Sequence, residues 1–338
     1  MNKPLLEIQD LQTQFRGDKG LIPAVDGVDI TVHAGETVGI VGESGCGKSV
    51  TSLSIMRLLP KVNAQITRGS ILFKGKDLLQ LSEDEMRRVR GKEIAMVFQE
   101  PMTALNPVKT IGNQLMEMPI LHLGYSADAA REHAVKMLGK VHIPQADKLI
   151  HEYPHQLSGG MRQRVMIAMA LSCSPDLLIA DEPTTALDVT VQAQILDLMN
   201  ELQEREHSSI VLITHDLGVV AEMCQTVYVM YAGQVVEHAA IDDLIREPAH
   251  PYTQGLMRSL PREEDSGSRL SCIPGNVPLP GSVKLGCRFA ERCSQAMGRC
   301  TRENPPLLRV AADRMCRCWL YAETSAAGEG KDSHGQVS

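Results

Sequence analysis

At 338 residues the chain is long enough for two domains, or for one large domain with an appendage. Hydrophobic residues at 43% and charged residues at 22% exclude disorder, collagen and coiled coil as the main architecture. Aromatics at 3% leave few platforms for stacking bases, and a net charge of -7 repels phosphate backbones, so no nucleic-acid partner is expected.

No apolar run approaches the roughly 20 residues that a bilayer crossing needs; Val165 to Leu171 is bounded by Arg164 and Ser172. Met1 to Asp10 carry acids where a signal peptide needs a basic start and an apolar centre, so a cytoplasmic location is expected.

In chain order, Thr37 to Val41 is a short apolar run that passes through Gly45 and Gly47 into a helical pattern over Lys48 to Leu59, which reads as strand, turn, helix. Further runs at Ile94 to Phe98, Leu177 to Ala180, Ile210 to Ile213 and Val227 to Met230 read as buried parallel strands. Helical patterns lie between them, clearest over Val189 to Glu206, where Val191, Ile195, Leu198 and Leu202 recur at three- and four-residue steps. Alternating strand and helix means an α/β layer fold. From Pro107 to Pro154 the strand signals vanish and a helical insertion is expected, with Ala127 to Val141 its best helix. Beyond Glu247 proline and glycine rise, regular periodicity is lost, and a separate irregular appendage is expected. The partition is therefore 1–247, with a helical part at about 100–156, then 248–322, then a disordered tail at 323–338.

Gly42-Glu43-Ser44-Gly45-Cys46-Gly47-Lys48-Ser49 fits G-x-x-x-x-G-K-[ST], after a predicted strand and at the start of a predicted helix. Glycines let the backbone wrap phosphates with its N–H groups inward, and the helix N-terminus adds partial positive charge. Lys48 suits the β- and γ-phosphates, and Ser49 offers a hydroxyl to Mg²⁺. Cys46 occupies a variable position and reads as a tolerated small side chain. Asp181 and Glu182 end a strand at the carboxyl edge of the sheet, Asp181 to complete the Mg²⁺ shell and Glu182 to orient or deprotonate the attacking water. His215 ends another strand at the same edge, within reach of a γ-phosphate.

Leu157-Ser158-Gly159-Gly160-Met161-Arg162-Gln163-Arg164 resembles the signature of ATP-binding cassette (ABC) transporter ATPases, and the resemblance covers residues 5 to 260. It implies the P-loop NTPase fold of that family: a parallel core sheet, an N-terminal antiparallel β subdomain and a helical insertion. The resemblance also implies head-to-tail pairing, each ATP closing between one chain's phosphate loop and the Ser158, Gly159 and Gly160 equivalents of the other. Gln99 then looks like the glutamine that joins metal and water to the helical part, Asp188 like the aspartate that crosses the dimer, and His215 like the switch histidine. Phe15 looks like the aromatic that stacks on adenine, and Val50 completes the nucleotide-binding stretch. Glu182 is present, so a hydrolytic site is implied.

A narrower resemblance, to the oligopeptide, dipeptide and nickel importer branch, lies in Glu100 to Pro107, in Met230-Tyr231-Ala232-Gly233 and in His250-Pro251-Tyr252-Thr253. It implies two transmembrane permease subunits, an extracytoplasmic substrate-binding protein and a second ATPase chain, for which the branch favours a different cassette while a homodimer stays open. Nine cysteines include Cys46, Cys173 and Cys224, scattered as reduced thiols would be, and Cys272, Cys287, Cys293, Cys300, Cys316 and Cys318 near the C-terminus. Cys287, Cys293, Cys300 and Cys318 match the branch's cysteine-bearing tail, with Cys316 a competitor for the fourth place. Their spacings, C-x5-C, C-x6-C and C-x17-C, lack the tight C-x2-C of common zinc sites. A 4Fe-4S cluster, which the branch suggests, a structural zinc and unligated thiols all stay open. A soluble ABC ATPase acting on DNA or ribosomes would need a heptad coiled coil or a second phosphate loop, and neither is present. The Arg87-Arg88-Val89-Arg90 run reads as a solvated helix face.

Overall fold

In the computed structural model, the residues described are 3–17, 20–99, 104–185, 187–259, 272–283 and 285–322. The expectations for Glu100 to Thr103, for Ala186 and for the 323–338 tail lie outside them.

Five strands form the parallel heart of an eight-stranded sheet: β3 (Thr37–Val41), β6 (Ile94–Val97), β7 (Leu177–Asp181), β8 (Ser209–Thr214) and β9 (Thr226–Tyr231), in the order β9-β3-β8-β7-β6. Pairs such as Val38 with Val211 and Ile40 with Ile213 keep the register, and every residue of β3, β7 and β8 is buried. That is why these strands read as continuous apolar runs: a parallel sheet has both faces covered. Helix α1 (Lys48–Ile55) follows β3, and α6 (Val189–Glu206) packs on the sheet through Ile195, Leu198 and Leu202. The helix expected to Leu59 stops at Ile55, with Arg57 at φ 50° and Pro60 beyond, which disfavours α geometry before it.

β1 (Leu6–Gly17), β2 (Gly20–Val32), β4 (Ala64–Phe73) and β5 (Lys76–Asp77) form an antiparallel sheet in the order β2-β1-β4-β5. Its alternation is broken in mid-strand. Leu6 and Ile8 face inward, the register shifts between Ile8 and Leu11 where Asp10 takes φ 47°, and the inward set resumes at Leu11 and Thr13. The capping box of Ser82 and Glu85 starts α2 (Glu83–Val89).

The insertion contains α3 (Ile111–Leu123) and α4 (Ala127–Lys140), capped by Thr110 and Ser126, and it leads into α5 (Gly159–Leu171). Its Ile111, Leu115, Met137 and Leu138 belong to the same apolar core as the parallel strands.

The C-terminal part corrects the expectation of an irregular appendage. α8 (Pro251–Arg258) is a helix whose N-cap is His250 and whose first residue is Pro251, a position where proline's missing N–H costs nothing. β12 (Arg314–Cys316) pairs antiparallel onto β10 (Gln234–Ala240), Glu237 opposite Cys316, and β11 (Leu308–Ala311) pairs antiparallel onto β12, so the two extend the core sheet. Both strands are short and half-exposed, so they carry no apolar run of their own, and the edge of β10 recruits them.

Candidate active site

The phosphate loop joins β3 to α1. Gly42, Gly45 and Gly47 take φ of 153°, 79° and 106°, and a Cβ on Gly42 would strike the Met230 carbonyl. No side chain caps α1, so its first N–H groups stay available to an anion. Lys48 is 5% exposed and its Nζ donates to the carbonyls of Gly42 and Glu43 at 2.7 and 3.3 Å. Cys46 is buried beneath the loop, and burial pushes its thiol up, which keeps it neutral.

The carboxyl ends of β7 and β8 bring the acids to this loop. Ser49 Oγ donates to Asp181 Oδ1 at 3.1 Å. Asp181 is 5% exposed; burial and then the neighbouring Glu182 raise its pKa, only partly offset by Ser49 and Lys48. A desolvated carboxylate beside a hydroxyl fits a small divalent cation, whose charge would reverse that penalty. Glu182 sits at φ 47°, with its N–H on the Ile213 carbonyl. Its carboxylate accepts from Gln99 Nε2 at 3.0 Å and Thr185 Oγ1 at 2.9 Å, and lies 3.5 Å from His215 Nδ1. Sequence reasoning did not find Thr185, which sits one turn beyond Glu182.

A cleft of about 610 Å³ opens over the loop, between Phe15 and Ile22 at one end and Lys48, Gln99 and Glu182 at the other. Val50, Ser44 and Gly45 also line it. Leu279 and Pro280 form part of its wall, which the sequence did not indicate. The clue was Leu279-Pro280-Gly281-Ser282, a turn pattern with Gly281 at φ 74° and Ser282 N–H on the Leu279 carbonyl.

Ser158, Gly159, Gly160 and Asp188 are not among the residues lining this cleft or the neighbouring one around Gly42, Glu182 and His215. Ser158 Oγ accepts from Met161 N–H at 3.3 Å and caps α5, and Asp188 Oδ1 accepts from Val191 N–H at 2.9 Å and caps α6. A Cβ on Gly160 would meet Val191 Cγ1 at 2.8 Å, so the two helix starts pack together. Glu43 lines the neighbouring cleft, and its carboxylate is taken by Arg292, 249 residues away.

Two of the branch motifs, Met230 to Gly233 and His250 to Thr253, pack against the loop. Tyr252 Oη accepts the Glu43 N–H at 2.9 Å, Gly233 N–H donates to the Cys46 carbonyl at 2.8 Å, and Tyr231, Tyr252 and Phe289 meet at tilted and edge-on angles as one aromatic group.

The 4Fe-4S reading of the four C-terminal thiols finds no support in the side-chain arrangement. Among the described residues no group of three or more His, Cys, Asp or Glu side chains is arranged to hold a metal ion. Burial is the largest influence on Cys287, Cys293 and Cys318 and raises the pKa of each, Cys318 to about 11; a bound metal would lower them again, since ligation displaces the thiol proton.

A glycine loop on an uncapped helix, a buried lysine and two acids at a parallel-sheet edge define a P-loop nucleoside triphosphatase. The comparisons with known proteins narrow this. The family described as "ABC transporter" matches residues 25–185, and the "Oligopeptide/dipeptide transporter, C-terminal region" matches residues 236–300. The "Oligopeptide transport ATP-binding protein AppD" of Bacillus subtilis (strain 168) is 54% identical over 322 residues, 95% of this chain and 98% of that one. The "Dipeptide transport ATP-binding protein DppD" of the same strain is 50% identical over 332 residues, 97% of this chain and 99% of that one. The solved ATP-binding cassette MJ0796, described as dimeric, post-hydrolysis and bound to ADP and Pi, superposes with a TM-score of 0.62 at 28% identity, over 70% of this chain and 98% of its own. The chain belongs to the ABC transporter ATP-binding proteins of the oligopeptide/dipeptide group, and it is an ATPase.

Proposed function

We propose that this chain powers the import of dipeptides or oligopeptides from the cytoplasmic face of the cell membrane, paired head to tail with a second, different ATPase subunit. Two transmembrane permease subunits and an extracytoplasmic substrate-binding protein complete the assembly. Among the described residues no helix is long and apolar enough to cross a membrane, so in this reading other chains supply the path. The placement of Ser158 and Asp188 off the cleft that holds Lys48 carries the pairing: their donors and charge have no nucleotide within their own chain to meet. The MJ0796 cassette, described as dimeric and bound to ADP and Pi, supports pairing.

In this reading the loop N–H groups and Lys48 grip the phosphates, and Phe15 takes the base. Ser49, Asp181 and Gln99 would hold Mg²⁺, which would offset the charge of the phosphate oxygens. Glu182, aligned by Gln99, Thr185 and His215, orients the attacking water and accepts its proton. The partner's signature closes the pocket, and loss of phosphate favours reopening. The helical insertion around Asn106 to Pro154 is the docking face for the permease. The ATPase unit ends near residue 247, and 248–322 form the C-terminal unit packed behind the phosphate loop.

No step runs through the four thiols, and stoichiometric iron and sulfide in anaerobically purified protein would support the 4Fe-4S cluster that the branch resemblance implies, while metal-free protein would remove it. The transporter reading is tested by coexpression: the chain should reach membranes only with its permease subunits, and peptide should stimulate ATP turnover. Binding of nickel or a metal chelate, in place of peptide, by the associated substrate-binding protein would shift the cargo.

A further inference from the structure

The phosphate loop grips ATP only while its backbone N–H groups converge, and its second residue is held from the C-terminal part of the chain. Arg292 Nη1 donates to Glu43 Oε2 at 2.7 Å and Nη2 to Glu43 Oε1 at 3.0 Å, a two-pronged contact in which the Arg292 side chain is 6% exposed. The rest of the guanidinium is fixed as well: Nε donates to the Pro274 carbonyl at 2.9 Å, Nη1 reaches Tyr231 Oη at 3.3 Å, and the group lies over the Tyr231 ring. Glu43 is thus secured twice, its N–H by Tyr252 and its carboxylate by Arg292, while its carbonyl accepts from Lys48. Arg288 ties the same segment to the loop's surroundings through Asp26 and the Ala232 carbonyl.

We propose that Arg292 is a positioning residue for ATP: it holds Glu43, and through it the phosphate loop, in the phosphate-receiving shape, so that the C-terminal region is a working part of the nucleotide site. This rests on the reading of the loop as an ATP site. A merely structural tie would hold the two parts together without changing nucleotide affinity at saturating stability. A positioning role makes affinity depend on the pair as a unit.

The test uses the full-length chain for binding of a fluorescent ATP analogue, and the assembled transporter for turnover, with thermal midpoints recorded for each variant. Arg292→Gln and Glu43→Gln are each expected to weaken nucleotide binding and raise KM by about fivefold, with kcat lowered less than twofold. The double variant Glu43→Gln/Arg292→Gln should match either single change rather than multiply them, because both remove the same contact. Since it leaves no unpaired buried charge, it remains informative if a single variant does not fold. Arg292→Lys should fall between, since one ammonium cannot grip both carboxylate oxygens. Affinities unchanged in the folded variants, multiplicative effects in the double variant, or losses that follow the thermal midpoint alone would each overturn the proposal. Lys48→Ala serves as the separate control: if it retains ATP, the site reading itself fails, whatever Arg292 does.

Discussion

The phosphate-loop end of the sheet and the signature end of the helical insertion are both helix starts that offer N–H groups to an anion, yet they are built in opposite ways. At the loop, Gly47 leaves α1 uncapped, Lys48 and Asp181 are each 5% exposed, and packing from β9, α8 and Arg292 fixes the backbone. At the signature, Ser158 caps its own helix, Asp188 caps the next one, and Val189 beside it is 84% exposed. The first surface is assembled from within and complete for holding phosphate. The second is exposed, and its side chains make local bonds. An asymmetric pair of half-sites on one chain is what the proposed ATP-gated dimer would require.

The contrast is sharpest for turnover. Replacing Glu182 by Gln should lower the ATP hydrolysis rate of the assembled transporter about 1000-fold while ATP binding persists, because the proton acceptor is lost and the grip is not. A rate within about tenfold of the parent in a phosphate-release assay would show that Glu182 is not the acceptor. A bulky cation on the other half, Ser158→Arg, should lower turnover about 100-fold and leave nucleotide affinity of the isolated chain unaltered. Weaker binding in the isolated chain would place the signature within its own site and break the comparison.

Smaller effects probe the cleft's outer wall and the packing behind it. Leu279→Ala removes apolar surface from the mouth of the cleft and should raise KM for ATP about threefold with kcat unchanged, read from steady-state kinetics. His250 is fully buried, and burial lowers its pKa to about 3. The unfolded chain takes a proton there below about pH 6.5 while the folded chain does not. Its contribution is present above that pH and lost as pH falls towards 3, at up to about 1.4 kcal/mol per pH unit. His250→Asn keeps a helix-capping oxygen for the Tyr252 N–H and removes the titration. Urea melts between about pH 7 and pH 5 should therefore lose stability less steeply for the variant than for the parent.

What the sequence made legible follows the range of the interactions. The parallel strands are buried on both faces and announce themselves as apolar runs, and the phosphate loop's chemistry is written in eight consecutive residues, Gly42 to Ser49. The family resemblance was needed for the antiparallel sheet, because the shift at Asp10 interrupts the two-residue alternation of β1. β11 and β12 escaped notice because the edge of β10, not their own pattern, makes them strands. Arg292 and Glu43 are separated by 249 residues, so neither side chain signals the other. The cysteine tail differs: its four residues match the branch pattern, and among the described residues no group of three or more ligands is arranged for a metal.

The pairing of half-sites is tested most directly by asking whose nucleotide the signature serves. In the transporter assembled with its second ATPase subunit, photoreactive ATP trapped with vanadate labels each chain separately. With Ser158→Arg in this chain, the account predicts that trapping disappears from the second subunit while ATP still binds at Lys48 of this chain. Loss of ATP from this chain's own loop, with the second subunit trapping normally, would contradict it.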